Sequence, residues 1–113
     1  MTTSTTGTAG RTTLTTRIFK YPIEVTDDQE VILPVGARVL NVQVQQAGPG
    51  SNRAPQLVLY ALVDDSALMH KRHVYILGTG HDATVLIEGV CQFVGTVNLM
   101  ESLWFHVFVE VVQ

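Results

Sequence analysis

The stretch that decides the fold is Arg38-Val39-Leu40-Asn41-Val42-Gln43-Val44-Gln45-Gln46. Within it the aliphatic residues Leu40, Val42 and Val44 alternate with the polar residues Asn41, Gln43 and Gln45. Successive side chains of a strand point to opposite faces of the sheet, so this alternation predicts a half-buried β-strand. We expect the aliphatic side chains to face the core and the amides to face solvent.

The rest of the chain from residue 18 onward repeats strand patterns and shows no sustained helical period. We predict seven strands, at 18–25, 30–33, 38–46, 56–63, 72–77, 91–98 and 103–112. Pro22 predicts an edge strand or a bulge, and Gly95 predicts a bulge or a close approach. Asp64-Asp65-Ser66 predicts the cap of a helical turn through Lys71. Short strands at this spacing predict an all-β, single-domain antiparallel β-sandwich or flattened barrel.

The N-terminal region has a different composition. Residues 1–17 contain nine threonines, and Leu14 is the one large aliphatic residue after Met1. Such a stretch buries too little apolar surface to offset the entropy lost on ordering. We therefore predict an N-terminal arm over residues 1–17, flexible or docked on a partner, and a β-sandwich domain over residues 18–113.

Charge content bears on the partners of the protein. Charged residues make up 15% of the chain, against roughly 25% in typical soluble domains. This deficit predicts a homo-oligomer, and residues 57–63, apolar at nearly every position, are the expected interface, covered on both faces. A net charge of −3 with seven basic residues argues against binding to a nucleic-acid polymer.

Cysteine usage and hydropathy bear on the compartment. Cys91 is the single cysteine, which excludes an internal disulfide and favours a reducing compartment. Residues 1–17 lack the apolar segment of a secretory signal, and no stretch approaches the roughly 20 apolar residues of a membrane span. We therefore expect a soluble protein with no membrane partner, located in the cytoplasm.

Catalytic signatures are missing from the sequence. It has no Gly-x-Ser-x-Gly nucleophile elbow, no phosphate loop and no dinucleotide fingerprint. We therefore predict a protein that is not an enzyme, with no catalytic residue and no cofactor; a hydrolase using His81 or His106 is the alternative. The four histidines, His70, His73, His81 and His106, fit surface or hydrogen-bonded positions better than a zinc site, so no metal is predicted.

A candidate binding site lies where the strand Val74–Leu77 runs into Gly78-Thr79-Gly80-His81. Glycines permit positive φ and close backbone approach, so the turn can expose amide N–H groups beside His81. The preceding basic pair, Lys71 and Arg72, either solvates a turn or supplies charge-assisted bonds to an anion.

The last strand adds two residues to this candidate site. His106 is either a hydrogen-bonded structural histidine or a ligand contact, and Trp104 either fills a core or interface or stacks on a flat ring. The predicted ligand-binding residues are Lys71, Arg72, Thr79, Gly80, His81, Trp104 and His106.

The order of motifs along the chain resembles a family of small uncharacterised proteins encoded by bacteriophages and bacteria. The resemblance rests on Lys20-Tyr21-Pro22, Leu33-Pro34-Val35-Gly36-Ala37, Val39 to Gln45, Tyr60 to Asp64, Ile76 to His81, Phe93 to Thr96 and Leu103 to Phe108. It spans residues 18–108, and the chain departs from short members in its arm and in the longer loop 48–55. The resemblance implies a phage-type accessory protein.

These observations predict a non-enzymatic phage-type accessory protein whose homo-oligomer binds a small anionic, nucleotide-like ligand. The ligand would be a host immune signal sequestered in the cytoplasm of an infected bacterium. The alternative is a virion structural or assembly-interaction protein that contacts other virion proteins through its N-terminal arm.

Overall fold

The computed structural model describes residues 15–46 and 48–111. Most of the predicted N-terminal arm therefore lies outside the described residues. Thr16 and Arg17 belong to the first strand, so the folded domain begins before the predicted boundary at residue 18.

The described residues form two antiparallel sheets. The elements are β1 (Thr16–Ile23), β2 (Asp28–Pro34), β3 (Arg38–Gln45), β4 (Gln56–Asp64), β5 (Met69–Gly78), α1 (Val85–Glu88), β6 (Cys91–Met100) and β7 (Leu103–Glu110). One sheet has the order β1-β4-β3 and the other the order β2-β5-β7-β6. The predicted all-β sandwich is confirmed, in its open form and not as a barrel. Pro22 lies on β1, an edge strand, which is where a residue without an N–H donor is tolerated.

The core consists of aliphatic side chains that both sheets direct inward. Alternation along β7 buries Val107 and Val109 completely, while Trp104 on the opposite face is 49% exposed. Burial of each such aliphatic side chain contributes about 1.5–3 kcal/mol, so this layer stabilises the sandwich. The largest fully buried side chains include Ile23, Leu33, Leu57, Leu59, Val74 and Ile76.

A β-bulge in β3 changes the alternation expected for that strand. The register with β4 shifts between Val39 and Asn41, and an extra residue in a bulge reverses the facing of side chains beyond it. Val39 is consequently buried, and Leu40 is 42% exposed. The core-facing prediction is therefore confirmed for Val42 and for the partly buried Val44, and it is wrong for Leu40.

A second bulge lies in β6 at Gly95. The register with β7 shifts between Phe93 and Gly95. A Cβ atom on Gly95 would lie 3.1 Å from Cγ1 of Val42, so β3 and β6 approach closely where the two sheets meet. The predicted bulge and the predicted close approach are both confirmed.

The helical turn predicted through Lys71 is wrong. Oδ1 of Asp64 accepts hydrogen bonds from the Ser66 amide at 3.0 Å and the Ser66 hydroxyl at 2.6 Å, which closes a tight turn. β5 then begins at Met69, because His70 and Lys71 pair with β2 and strand pairing outweighs local helix capping. The described helix, α1, lies between the predicted strands 72–77 and 91–98, and none of its residues is buried.

Candidate functional site

The Gly78–His81 turn is a tight reversal that follows β5 directly. The His81 amide donates to the Gly78 carbonyl at 3.0 Å, and Gly80 has a φ of 88°. A positive φ at the third residue is the mark of a type II turn, where glycine avoids a steric cost. The Thr79 amide donates to the Trp104 carbonyl at 3.2 Å, which attaches the turn to β7.

His106 is held between two threonines. Its Nε2 lies 2.8 Å from the Thr79 hydroxyl and its Nδ1 lies 2.9 Å from the Thr96 hydroxyl. The three meet because Thr96 faces His106 across the β6–β7 ladder and the turn carries Thr79 to the same face. Both ring nitrogens are hydrogen-bonded. His106 therefore has the contacts expected of a hydrogen-bonded structural histidine, the first of its two predicted roles.

His81 is positioned by the absence of a side chain at Gly78. A Cβ atom there would lie 2.8 Å from Cε1 of His81, so the imidazole rests directly against the Gly78 backbone. The His81 side chain is exposed. It therefore remains available to a ligand at the surface of the turn.

A pocket of about 230 Å³, here called the turn pocket, adjoins this arrangement. Its lining residues are Leu77, Gly78, Thr79, Gly80, His81, Ala83, Leu86, His106 and Phe108. Trp104 instead lines a smaller hollow of about 90 Å³ that also contacts Thr79 and His81. The structure thus brings together five of the predicted site residues: Thr79, Gly80, His81, Trp104 and His106.

The structure does not bring Lys71 and Arg72 to the turn. Thr79 lies seven positions after Arg72, and a rise of roughly 3.3 Å per residue along an extended strand puts them about 23 Å apart. Lys71 is exposed, with Nζ 3.8 Å from Oε1 of Glu30 on β2. The basic pair cannot contact a small anion held at the turn.

Arg72 is buried on the core face of β5, and its side chain is 6% exposed. Nη1 donates to the Ala37 carbonyl at 2.8 Å, and Nη2 and Nε donate to the Glu110 carbonyl at 2.8 and 3.2 Å. Burial lowers the pKa of Arg72, and the charge of Glu110 opposes that shift. Among the described residues no carboxylate forms an ion pair with Arg72, and two of the five guanidinium N–H groups are left over.

Arg72 borders a larger cavity of about 430 Å³, here called the arginine hollow. Its lining residues are Val35, Gly36, Ala37, Arg38, His70, Arg72, Gln92 and Val111. Nε2 of His70 is buried without a hydrogen-bond partner in the described part of the chain. No acidic residue is among those that line the hollow, within 15–46 and 48–111.

Sequence reasoning missed Arg38, His70 and Gln92 as members of this cavity. They lie on three strands, β3, β5 and β6, and nothing in a single sequence brings those strands together. One signal was present: Arg72 shares its alternation with Val74 and Ile76, which are core residues. That pattern indicates a buried arginine.

The sequence profile of a family described as a domain of unknown function (DUF7352) matches residues 14–113. The chain belongs to the DUF7352 family. The matched DUF7352 region contains both the turn pocket and the arginine hollow. No curated protein and no solved structure matches the chain.

The described DUF7352 residues contain neither a cluster of metal ligands nor a membrane-spanning helix. No group of three or more His, Cys, Asp or Glu side chains within 15–46 and 48–111 could hold a metal ion. In the same part of the chain, no helix has the length and hydropathy needed to span a bilayer.

Proposed function

We propose that this DUF7352 protein is a non-enzymatic, homo-oligomeric protein that binds a small anionic, nucleotide-like ligand in the arginine hollow. The observation that carries the proposal is Arg72, a cation 6% exposed beside a cavity of about 430 Å³. A buried charge is costly unless an opposite charge or a full set of hydrogen bonds compensates it. An anion in the hollow would provide the opposite charge and would accept hydrogen bonds from the remaining N–H groups of Arg72.

Two further groups make the hollow suited to an oxyanion. Arg38 is exposed and has no hydrogen bond or ion pair within the described residues, so its guanidinium is free to bind. Paired N–H groups of arginine match the spacing of phosphate and carboxylate oxygens. His70 brings the buried Nε2 atom that lacks a partner among the described residues, and as a donor this nitrogen completes a cationic and polar lining.

The size and apolar walls of the hollow support a ligand larger than a bare phosphate. A volume of about 430 Å³ falls within the roughly 300–1,000 Å³ of small-molecule pockets. Val35 and Val111, which are 51% and 36% exposed, offer apolar surface to a planar group. In a nucleotide, the phosphate would contact the polar side of the hollow and the ring would contact its apolar side.

The lining also supports binding without chemistry. Among the described residues that line the hollow there is no Ser, Thr, Cys, Asp or Glu, so no hydroxyl, thiol or carboxylate adjoins the bound anion. Arginine does not act as a general base at neutral pH, and the described lining residues include no nucleophile that His70 could activate. A site of this composition suits capture of a ligand.

Self-association is supported by the outer face of the three-stranded sheet. Ile18 lies opposite Leu62 across the β1–β4 ladder and is 60% exposed, and Leu40 is 42% exposed. Together with Tyr60 these side chains give apolar area to a face that also carries Lys20 and Arg38, on a chain with 15% charged residues. A second copy of the chain would bury that surface.

The biological setting of the proposal is the cytoplasm of an infected bacterium, where the protein would sequester a nucleotide signal of host immunity. This part is supported by the resemblance of the motif order to proteins encoded by bacteriophages.

Isothermal calorimetry tests the proposal on the whole protein, with cyclic mononucleotides, cyclic dinucleotides, ADP-ribose derivatives and the matching uncharged nucleosides as ligands. We expect a nucleotide to bind and its nucleoside to bind much more weakly. Arg38→Gln should weaken nucleotide binding about tenfold or more, since a charge-assisted hydrogen bond contributes roughly 1.5–3 kcal/mol.

Arg53→Gln is the matched control, because Arg53 lines a separate groove with Gln45 and Gln56. It removes the same charge and should leave affinity unchanged. Absence of binding across the panel, or equal losses in the two variants, would reject the arginine hollow as the site.

A further inference from the structure

The turn pocket differs in chemistry from the arginine hollow. We propose that it is a second binding site, specific for an uncharged planar heterocycle of one or two fused rings. Free nucleobases are members of this ligand class. The site is separate from the anion site of the proposed function, since the two lie near opposite ends of β5.

The size and walls of the pocket fit a flat ring. A cavity of about 150 Å³ lined by Leu, Ile and Phe holds benzene, and the turn pocket has about 230 Å³. Leu77 is 5% exposed and supplies a fixed apolar wall beside Leu86 and Phe108. The volume is therefore sufficient for one or two fused rings.

The lining of the pocket selects against a charged ligand. None of the described residues that line it is Lys, Arg, Asp or Glu. An ion that entered would lose hydration against apolar walls without gaining an opposite charge, which is unfavourable. An uncharged ring carries no such penalty.

The Thr79 hydroxyl gives the pocket a polar group that can donate or accept. Neutral imidazole has one N–H and one bare nitrogen, and His106 places one of them on Thr79 and the other on Thr96. When Nε2 carries the proton, Thr79 accepts from His106 and its own O–H is free to donate. When Nε2 is bare, Thr79 donates to it and its oxygen is free to accept.

The ability of the Thr79 hydroxyl either to donate or to accept suits a heterocycle, because the edge of such a ring presents both bare nitrogens and N–H groups. His81 adds a second contact to the same ligand. Its imidazole is exposed and fixed against Gly78, where it can stack on the face of a ring.

NMR titration of the full-length, nitrogen-15-labelled protein with free adenine, and separately with uracil, tests the inference. We expect saturable shifts of the Gly80, His81 and Leu86 amides. Thr79→Val keeps the shape of the side chain and removes the hydroxyl, so it should weaken binding about two- to tenfold, the value of one neutral hydrogen bond.

Gly78→Ala should weaken binding, because the added methyl group takes the space of the His81 ring and displaces it from the position in which it can stack on the ligand. Thr26→Val makes the same change as Thr79→Val on the 24–27 loop and should leave affinity unchanged. Arg38→Gln should also leave it unchanged, which separates this site from the anion site. The inference is overturned by the absence of saturable shifts, by wild-type affinity in Thr79→Val, or by loss of binding in Arg38→Gln.

Discussion

The two ends of β5 carry polar groups that are satisfied in different ways. At its beginning, Arg72 is a buried cation whose N–H groups are partly used by carbonyls, and His70 has a buried nitrogen with no partner in the part of the chain that the structure describes. Just beyond its other end, the polar side chains of Thr79 and His106 are uncharged partners of each other. The first end is therefore suited to an anion and the second to a neutral ring.

The comparison shows how poorly nearness along a strand predicts a shared site. Arg72 and His81 are nine positions apart in sequence, yet the extended backbone carries them to different cavities, with a strand length of more than about 20 Å between them. Facing matters as much as distance: Arg72 points to the core face of its sheet, whereas Lys71 points to solvent. Adjacent basic residues on a strand thus do not act as a pair.

Substitution of Arg72 is expected to have the largest effect on stability. Arg72→Leu leaves the carbonyls of Ala37 and Glu110 without their donors, and a buried unsatisfied group costs about 1–3 kcal/mol. Since leucine restores some apolar packing, we expect the free energy of unfolding to fall by about 2–3 kcal/mol. Urea denaturation monitored by Trp104 fluorescence measures the free energy of unfolding of the wild type and of the variant.

Lys71→Leu is the neighbouring control, with the same replacement on the exposed face of β5. Its ion pair with Glu30 is long, at 3.8 Å, and exposed pairs contribute about 0–1 kcal/mol. Equal losses in the two variants would contradict the difference between a buried and a solvated cation on one strand.

A smaller effect is expected from the pH dependence of His73, next to Arg72. Nδ1 of His73 lies 2.9 Å from Oδ1 of Asp28, and this hydrogen bond raises the pKa of His73 above its ordinary value. A raised folded-state pKa contributes stability below about pH 6.5, and the contribution is lost as pH rises through the folded-state pKa. The His73 side chain is 38% exposed, so we expect only a few tenths of a kcal/mol.

Unfolding free energies between about pH 5.5 and about pH 8 test this effect, with Asp28→Asn as the comparison. The wild type should lose slightly more stability than the variant as pH rises. A gain across that interval, or the same slope in Asp28→Asn, would show that the contact does not favour the protonated histidine.

Much of the fold could be predicted because strand alternation is a local property. The inward set of β7 and the hairpin of β3 and β4 around the loop that ends at Pro55 follow from residue pattern and turn composition. Leu40 was misplaced because a bulge depends on how β3 meets β4. The turn after β4 was misread because the capping pattern of Asp64 and Ser66 also closes a tight turn.

The candidate sites were predictable only in part, for the same reason. The Gly78–His81 turn is continuous in sequence, and its glycines indicate its shape. The arginine hollow combines Arg38, His70 and Gln92 with Arg72, and their proximity depends on the packing of two sheets. The sequence grouped Arg72 with the Gly78–His81 turn, whereas the structure places it near the other end of β5, beside the arginine hollow.

The most direct test of an anion site at the arginine end is a chemical-shift map of the labelled protein titrated with inorganic phosphate, at constant ionic strength to fix screening. The account predicts saturable shifts at Ala37, Arg38, His70 and Gln92, with residues 78–83 unchanged. Shifts centred on Gly80 and His81, or no saturable shift anywhere, would contradict it.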